Sequence, residues 1–207
     1  MGVADTCVIA AVSGRSGKAL WKQAAGSDGM PLGPAAADRG AAIVRGKGRP
    51  FVGLGNSHFV RVDLETGRPL GPPIDFGFEP VRPLQYADLD GDGDPEILAM
   101  GAGTGSGRFS LAAFATLTGQ RLWLTEVRDR YTFSVGKEDH WTRTWPLHAD
   151  LDGDGRAEIV IPDFDPVDKY SGVRALDSVT GKTRWKRPMT PYPGYFDGLV
   201  HLLEGPV

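Results

Sequence analysis

Apolar residues occur along this chain in short runs, and glycine or proline ends most of them. The runs EILAM (96–100) and EIVIP (158–162) show the pattern: rich in strand formers, one is soon interrupted by Gly101, Gly103 and Gly105, the other by Pro162. No segment keeps an apolar period of 3.6 long enough to predict a helix. None approaches the roughly 18 consecutive apolar residues of a membrane span. The predicted elements are strands joined by many turns.

Four segments repeat one hairpin pattern: AVSGRSGKALW (11–21), RVDLETGRPLG (61–71), AFATLTGQRLW (113–123) and ALDSVTGKTRW (175–185). Each reads as a strand, a turn ending in Ser-Gly or Thr-Gly, and a second strand, closed by Trp in three of the four. Their glycines, at 17, 67, 119 and 181, stand 50, 52 and 62 residues apart. A period of that size, with several strands in each unit, indicates sheets repeated radially.

The repeat unit reads as strand A, loop, strand B, strand C, Gly turn, strand D. Complete units are expected at about 39–74, 81–127 and 143–187. Partial ones are expected at 7–23, which begins at a strand C, and at 198–204, which reads as a strand A whose loop never follows. The fold class expected is all-β: one partial β-propeller domain over residues 1–207, with about three full four-stranded blades and incomplete terminal blades. Two arrangements stay open, a piece of a larger propeller and a ring in which the last strand completes the first blade. The piece is favoured, because ring closure would still lack a strand B and four blades is the small end of the range.

Between strands A and B lies the chemistry. ADLDGDGDPEIL (87–98) and ADLDGDGRAEIV (149–160) place carboxylates at alternate positions, Asp88, Asp90, Asp92 and Asp150, Asp152, Asp154, with a further acid at Glu96 and Glu158. Hard cations such as Ca²⁺ take six to eight oxygens at about 2.3 to 2.6 Å, and a tight turn can aim alternate side chains at one centre. Glycines within the turn permit the sharp bend. The seventh position is Asp94 in one copy and Arg156 in the other, which fits a ligand supplied by the backbone carbonyl, since an arginine side chain cannot coordinate. An EF-hand opens similarly but needs an acid at position twelve and flanking helices. Position twelve here is Ala99 or Ile161, inside a predicted strand, so that reading fails.

Both acidic loops precede their hairpin glycine by the same interval: Gly91 to Gly119 and Gly153 to Gly181 are each 28 residues. The same relation exposes a third loop ahead of Gly67, where Arg45-Gly46-Lys47-Gly48-Arg49-Pro50 aligns with Asp90-Gly91-Asp92-Gly93-Asp94-Pro95. The glycines and proline persist, while Ile43, Arg45, Lys47 and Phe51 replace the acids. The turn belongs to the fold and the carboxylates are an addition to it. Two cation sites are expected, and not a third.

Composition agrees. The 207 residues include 29 Gly and 16 Pro, about double the average glycine usage. The acidic loops hold nine of the 26 acids, so the remainder of the chain is mildly basic within a net charge of −3. No field of that size points to nucleic acid or an anionic membrane as partner. A single Cys7 excludes an internal disulfide framework.

The acidic loops resemble the calcium-binding loops of FG-GAP or VCBS repeats, found in the propellers of integrin α-chains and many bacterial surface proteins. The hairpins are similar to the tryptophan-docking repeat of quinoprotein-type, PQQ-like propellers, a pattern Ala175, Asp177, Gly181 and Trp185 meet in full. Elsewhere Ser13 and Ala115 replace the Asp, and Gly71 the Trp. The resemblance implies a calcium-stabilised propeller with two Ca²⁺. Asp88, Asp90, Asp92, Asp94 (by its carbonyl) and Glu96 would hold one ion; Asp150, Asp152, Asp154, Arg156 (by its carbonyl) and Glu158 would hold the other.

The expected function is a non-catalytic interaction scaffold for a protein or carbohydrate ligand, extracellular or on the cell surface, where calcium is millimolar. The start MGVADTCVIAAV lacks the basic region of a signal peptide, and the chain is expected to be part of a larger one. Function would sit on loops between blades, with Trp141, Trp145, Tyr192 and Tyr195 as candidate ligand-binding rings; the same rings could instead fill the wedge between blades. The alternative is a fragment of a calcium-dependent propeller enzyme, a polysaccharide lyase or a quinoprotein dehydrogenase. None of the four histidines, His58, His140, His148 and His201, lies in a nucleophile or base motif, and no catalytic residue is assigned.

Overall fold

A computed structural model of the protein describes residues 8–24, 41–48, 50–55, 58–78, 80, 84–102, 109–127, 146–154, 156–165 and 170–188. Among them are fourteen strands and no helix. The first sheet pairs β1 (Val8–Val12) with β2 (Ala19–Ala24). The second orders β3 (Ala41–Val44), β4 (Phe51–Gly55), β5 (His58–Asp63) and β6 (Ile74–Asp75). The third orders β7 (Gln85–Ala87), β8 (Glu96–Ala102), β9 (Phe109–Phe114) and β10 (Arg121–Val127). The fourth orders β11 (Leu147–Ala149), β12 (Glu158–Asp165), β13 (Tyr170–Asp177) and β14 (Thr183–Pro188). Every neighbouring pair is antiparallel and every sheet is a meander in chain order.

The alternation of side chains along a strand explains how the sheets stack. On β8, Ile97 and Ala99 join Phe59, Ile74, Phe76 and Phe114 in a core between the second and third sheets. The intervening Leu98 and Met100 join Trp123, Ile159, Ile161 and Leu176 in a core between the third and fourth. A strand buried on both faces reads as a continuous apolar run, which is why EILAM shows no polar alternation. A third core sets Ile9 and Trp21 against Val52, Val60 and Val62. Each fully buried aliphatic or aromatic side chain contributes about 1.5–3 kcal/mol, so these cores, rather than the turns, hold the sheets in series.

The Gly turns position the junctions. In all four hairpins the glycine N–H donates to the carbonyl four residues back, as Gly67 does to Asp63 and Gly181 to Asp177. These glycines take positive φ near 70°, a conformation that strains any other residue. The turn then receives a side chain from the preceding sheet. The Trp21 indole Nε1 donates to Leu64 O at 2.9 Å with its ring over Gly67, and Trp123 donates to Ser178 O at 2.7 Å with its ring over Gly181. A Cβ on either glycine would lie about 2.6 Å or less from the ring, closer than any real contact.

The second sheet departs from the expected hairpin. Strand D was expected directly after Gly67, but Pro69, Pro72 and Pro73 cannot donate to a ladder, so only a Val62–Pro69 bridge forms before β6. With Gly71 in the Trp position, Ile74 takes over and packs on Gly119. Phe76, edge-on to Phe114 with ring centroids 5.0 Å apart, enlarges that junction. Meander sheets, stacked face to face and locked by side chains docked on Gly turns, form a partial β-propeller. No helix among the described residues is long and apolar enough to cross a membrane.

Candidate metal centres

Each acidic loop joins an A strand to a B strand, and its first and last partners form a strand pair: Ala87 faces Glu96, and Ala149 faces Glu158. Ladder closure therefore brings the late acid back to the start of its loop. Both glutamates are buried. Glu96 Oε2 accepts from Leu89 N at 2.8 Å, and Glu158 Oε2 accepts from Leu151 N at 2.9 Å.

In the first loop, Asp88 accepts from Gly91 N and Gly93 N, both at 2.9 Å, and Asp90 accepts from Asp92 N at 3.0 Å. The glycines reach these positions with φ of 79° and 87°. Asp88, Asp90 and Glu96 each offer an oxygen within 4.8 Å of the others. Burial is the main cause that pushes the Glu96 carboxyl up to about 7, reinforced by the charges of Asp90, Asp92 and Asp88 and opposed by the Leu89 N–H. Three hard carboxylate donors at that spacing suit a divalent cation, whose charge would offset the repulsion.

The second loop repeats the design: Asp150 accepts from Gly153 N at 2.7 Å, and Asp150, Asp152 and Glu158 again offer oxygens within 4.8 Å. Here an arginine enters. Arg184 of β14 donates from Nη2 to Asp152 at 2.8 Å and from Nη1 to Glu158 Oε1. The corresponding residue of the third sheet, one before Trp123, is Leu122. Among the described residues no Lys or Arg side chain pairs with Asp88, Asp90 or Glu96.

The residues named from sequence are therefore placed as follows. Asp88, Asp90 and Glu96 converge, as do Asp150, Asp152 and Glu158. Asp92 and Asp154 stand beside them, accepting from Asp94 N at 2.7 Å and Arg156 N at 2.9 Å. The Asp94 carboxylate turns to the neighbouring sheet and accepts from Lys47 N at 2.8 Å. Lys47 lays its side chain over Gly93, so the third, basic loop buttresses the first acidic one. Phe51 is buried at the position of Glu96. Trp141, Trp145, Tyr192 and Tyr195 lie outside the described residues, as do His140, His201 and the strand expected at 198–204.

Sequence reasoning missed Arg184. Its signal was an arginine in the fourth hairpin where the third carries Leu122, but a charged residue on an exposed strand reads as solvated until the loop is known to lie beside it. It also missed Ser178, whose hydroxyl donates to Leu89 O at 2.6 Å and ties the fourth sheet's turn to the first acidic loop.

No protein family matches the chain, and no curated protein sequence does. Among solved structures, BamB from Moraxella catarrhalis is similar at 15% identity and a TM-score of 0.47, covering 93% of this chain and 49% of that one. A europium-containing methanol dehydrogenase is similar at 16% identity and a TM-score of 0.42, covering 91% of this chain and 41% of that one. The chain spans about half or less of the length of these structures. At that similarity the propeller assignment stands on the chain's own sheet order and docked hairpins.

Proposed function

We propose that the protein is a non-catalytic, calcium-stabilised β-propeller scaffold of the FG-GAP/VCBS kind, extracellular or at the cell surface, which binds a protein or carbohydrate ligand. The observation that carries this reading is the pair of three-carboxylate groups, each within 4.8 Å, at the same A-to-B position of two sheets. Oxygens around Ca²⁺ at about 2.3 to 2.6 Å lie up to roughly 5 Å from one another, so the spacing suits that ion. The loop of the second sheet, at the same A-to-B place but with Phe51 for the glutamate, does not give Gly46 and Gly48 the positive φ of Gly91 and Gly93, contrary to the expectation that it keeps the turn; the acids and the tight turn go together. An ion in each loop clips strand A to strand B. The loops lie within single sheets, which favours stabilisation over chemistry. Such open sites suit the millimolar calcium outside cells, where modules bind at about 10⁻⁴ to 10⁻³ M.

Calorimetric titration is expected to give two Ca²⁺ per chain; zero or three would overturn the assignment. Binding to the native state alone stabilises by about 2.7 kcal/mol per site at a hundredfold excess over Kd, so chelator lowers Tm. An unchanged melting curve would remove the structural clip. Ligands found in a glycan or surface-protein screen should be lost when Trp141 and Tyr192 are both changed to Ala.

A further inference from the structure

The residue three places before the hairpin glycine is Gly14, Leu64, Thr116 and Ser178 in the four turns. The last two carry hydroxyls, both are buried, and both reach the first acidic loop. Thr116 Oγ1 donates to Pro95 O from the loop's own sheet, and Ser178 Oγ donates to Leu89 O from the neighbouring one at 2.6 Å. Pro95 directly precedes Glu96, and Leu89 stands between Asp88 and Asp90. Peptides next to the converging acids are therefore held by turns outside the loop.

Leu89 is where the fourth sheet meets these acids. Its side chain is 1% exposed, in the core between the third and fourth sheets. Its carbonyl belongs to the peptide that carries Asp90, so the Ser178 bond sets the direction from which Asp90 departs. Its N–H donates to Oε2 of Glu96, a side chain only 5% exposed. The same turn also grips β10: Ser178 O accepts from the Trp123 indole, and Gly181 O accepts from Thr125 Oγ1 at 2.6 Å. One turn thus holds the docked tryptophan, the start of Asp90 and the Leu89 partner of Glu96 in a fixed relation.

The junction between the first and second sheets differs in this one respect. Trp21 is docked by the same kind of indole bond, to Leu64 O, but Leu64 has no side-chain donor. The second acidic loop is held in another way. Its Glu158 and Asp152 are bonded from within the fourth sheet, by Leu151 N and Arg184.

We propose that Ser178 is a positioning residue for the first cation site, and that calcium there and the seating of the fourth sheet's turn on Trp123 are coupled through it. This goes beyond the calcium reading of the loops and rests on it. Coupling is reciprocal: the factor by which the seated turn raises calcium affinity is the factor by which calcium favours the seated turn, typically about 5- to 150-fold between coupled sites. The Ser178 bond supplies the difference, because it forms only with the turn seated and a buried carbonyl left without its donor is disfavoured. An ion at the first loop therefore acts on two sheets, and one at the second loop acts on its own.

Hydrogen exchange of the two docked indole N–H groups, followed by NMR on the 207-residue chain in chelator and in saturating calcium, tests this. Stabilisation of the whole fold slows both groups alike, so the ratio of the Trp123 rate to the Trp21 rate isolates the junction. Calcium is expected to lower that ratio several-fold. Asp152→Ala should leave the response intact, and Asp88→Ala should remove it although the second loop still binds. In Ser178→Ala, calorimetry should show calcium at the first loop with affinity reduced by a factor similar to the parent's change in ratio, and the ratio should no longer respond at saturation. No calorimetric binding at the first loop of the parent chain would sink the calcium reading and the coupling together. Binding there without a change in the ratio, or a ratio that still responds in Asp88→Ala or Ser178→Ala, would overturn the coupling alone.

Discussion

The loop between β7 and β8 and the loop between β11 and β12 carry the same acids at the same spacing, yet their neighbours differ. The first is held from both sides: Lys47 N on Asp94 from the second sheet, and Ser178 on Leu89 O from the fourth. Its carboxylates meet no basic side chain among the described residues, and Glu96 is driven up to about 7. The second loop has Arg184 across Asp152 and Glu158. One cluster has no counter-charge among the described residues; the other holds a tethered cation of its own. Identical ligand sets therefore need not give equal sites, because a bound metal must displace whatever already answers the charge. The first loop is expected to be the tighter.

The largest test of this contrast removes one cage at a time. Asp88→Ala should abolish the tighter calorimetric site and Asp152→Ala the weaker, each with a loss of about 2.7 kcal/mol of calcium-dependent stability at hundredfold excess. Equal affinities in the parent chain would break the comparison. Next comes the clasp on the first loop. Ser178→Ala leaves the buried Leu89 carbonyl without its donor and should cost about 1–3 kcal/mol, read as a lower Tm together with weaker calcium binding at that loop alone.

The arginine can be moved. Arg184→Met should raise calcium affinity at the second loop at least several-fold, roughly the scale of one removed unit charge at about 4 Å in a water-like dielectric, while lowering Tm in chelator. Leu122→Arg should weaken the first loop in the same assay. If neither substitution alters the ratio of the two constants, Arg184 is not what separates the sites.

A separate effect is on pH. The Glu96 carboxyl rises from 4.5 to about 7 in the folded chain, so the folded state binds a proton more readily than the unfolded one. In chelator, stability should then fall as pH rises from about 4.5 to 7. Glu96→Gln should flatten that slope.

Much of this was legible in the chain because it repeats. The glycines at 17, 67, 119 and 181 fixed the hairpins, and their constant distance from the acidic loops fixed which strands the loops join. The alignment of Phe51 with Glu96 proved structural, since both side chains are buried at the start of a B strand. What escaped was whatever depends on contact between sheets. That Asp94 would reach Lys47, or Arg184 its acids, follows from how sheets and strands lie side by side, about which a repeat within one chain says nothing. The late start of β6 lay between: the prolines were visible, but the consensus hairpin overrode them.

Three hydrogen bonds step from the indole of Trp123 to Glu96 by way of two residues, Ser178 and Leu89. Trp123 Nε1 donates to Ser178 O, Ser178 Oγ to Leu89 O, and Leu89 N to Glu96 Oε2. The turn that covers the Trp123 indole therefore also holds the first acidic loop, and the indole's emission is expected to shift if that loop moves when chelator is replaced by calcium.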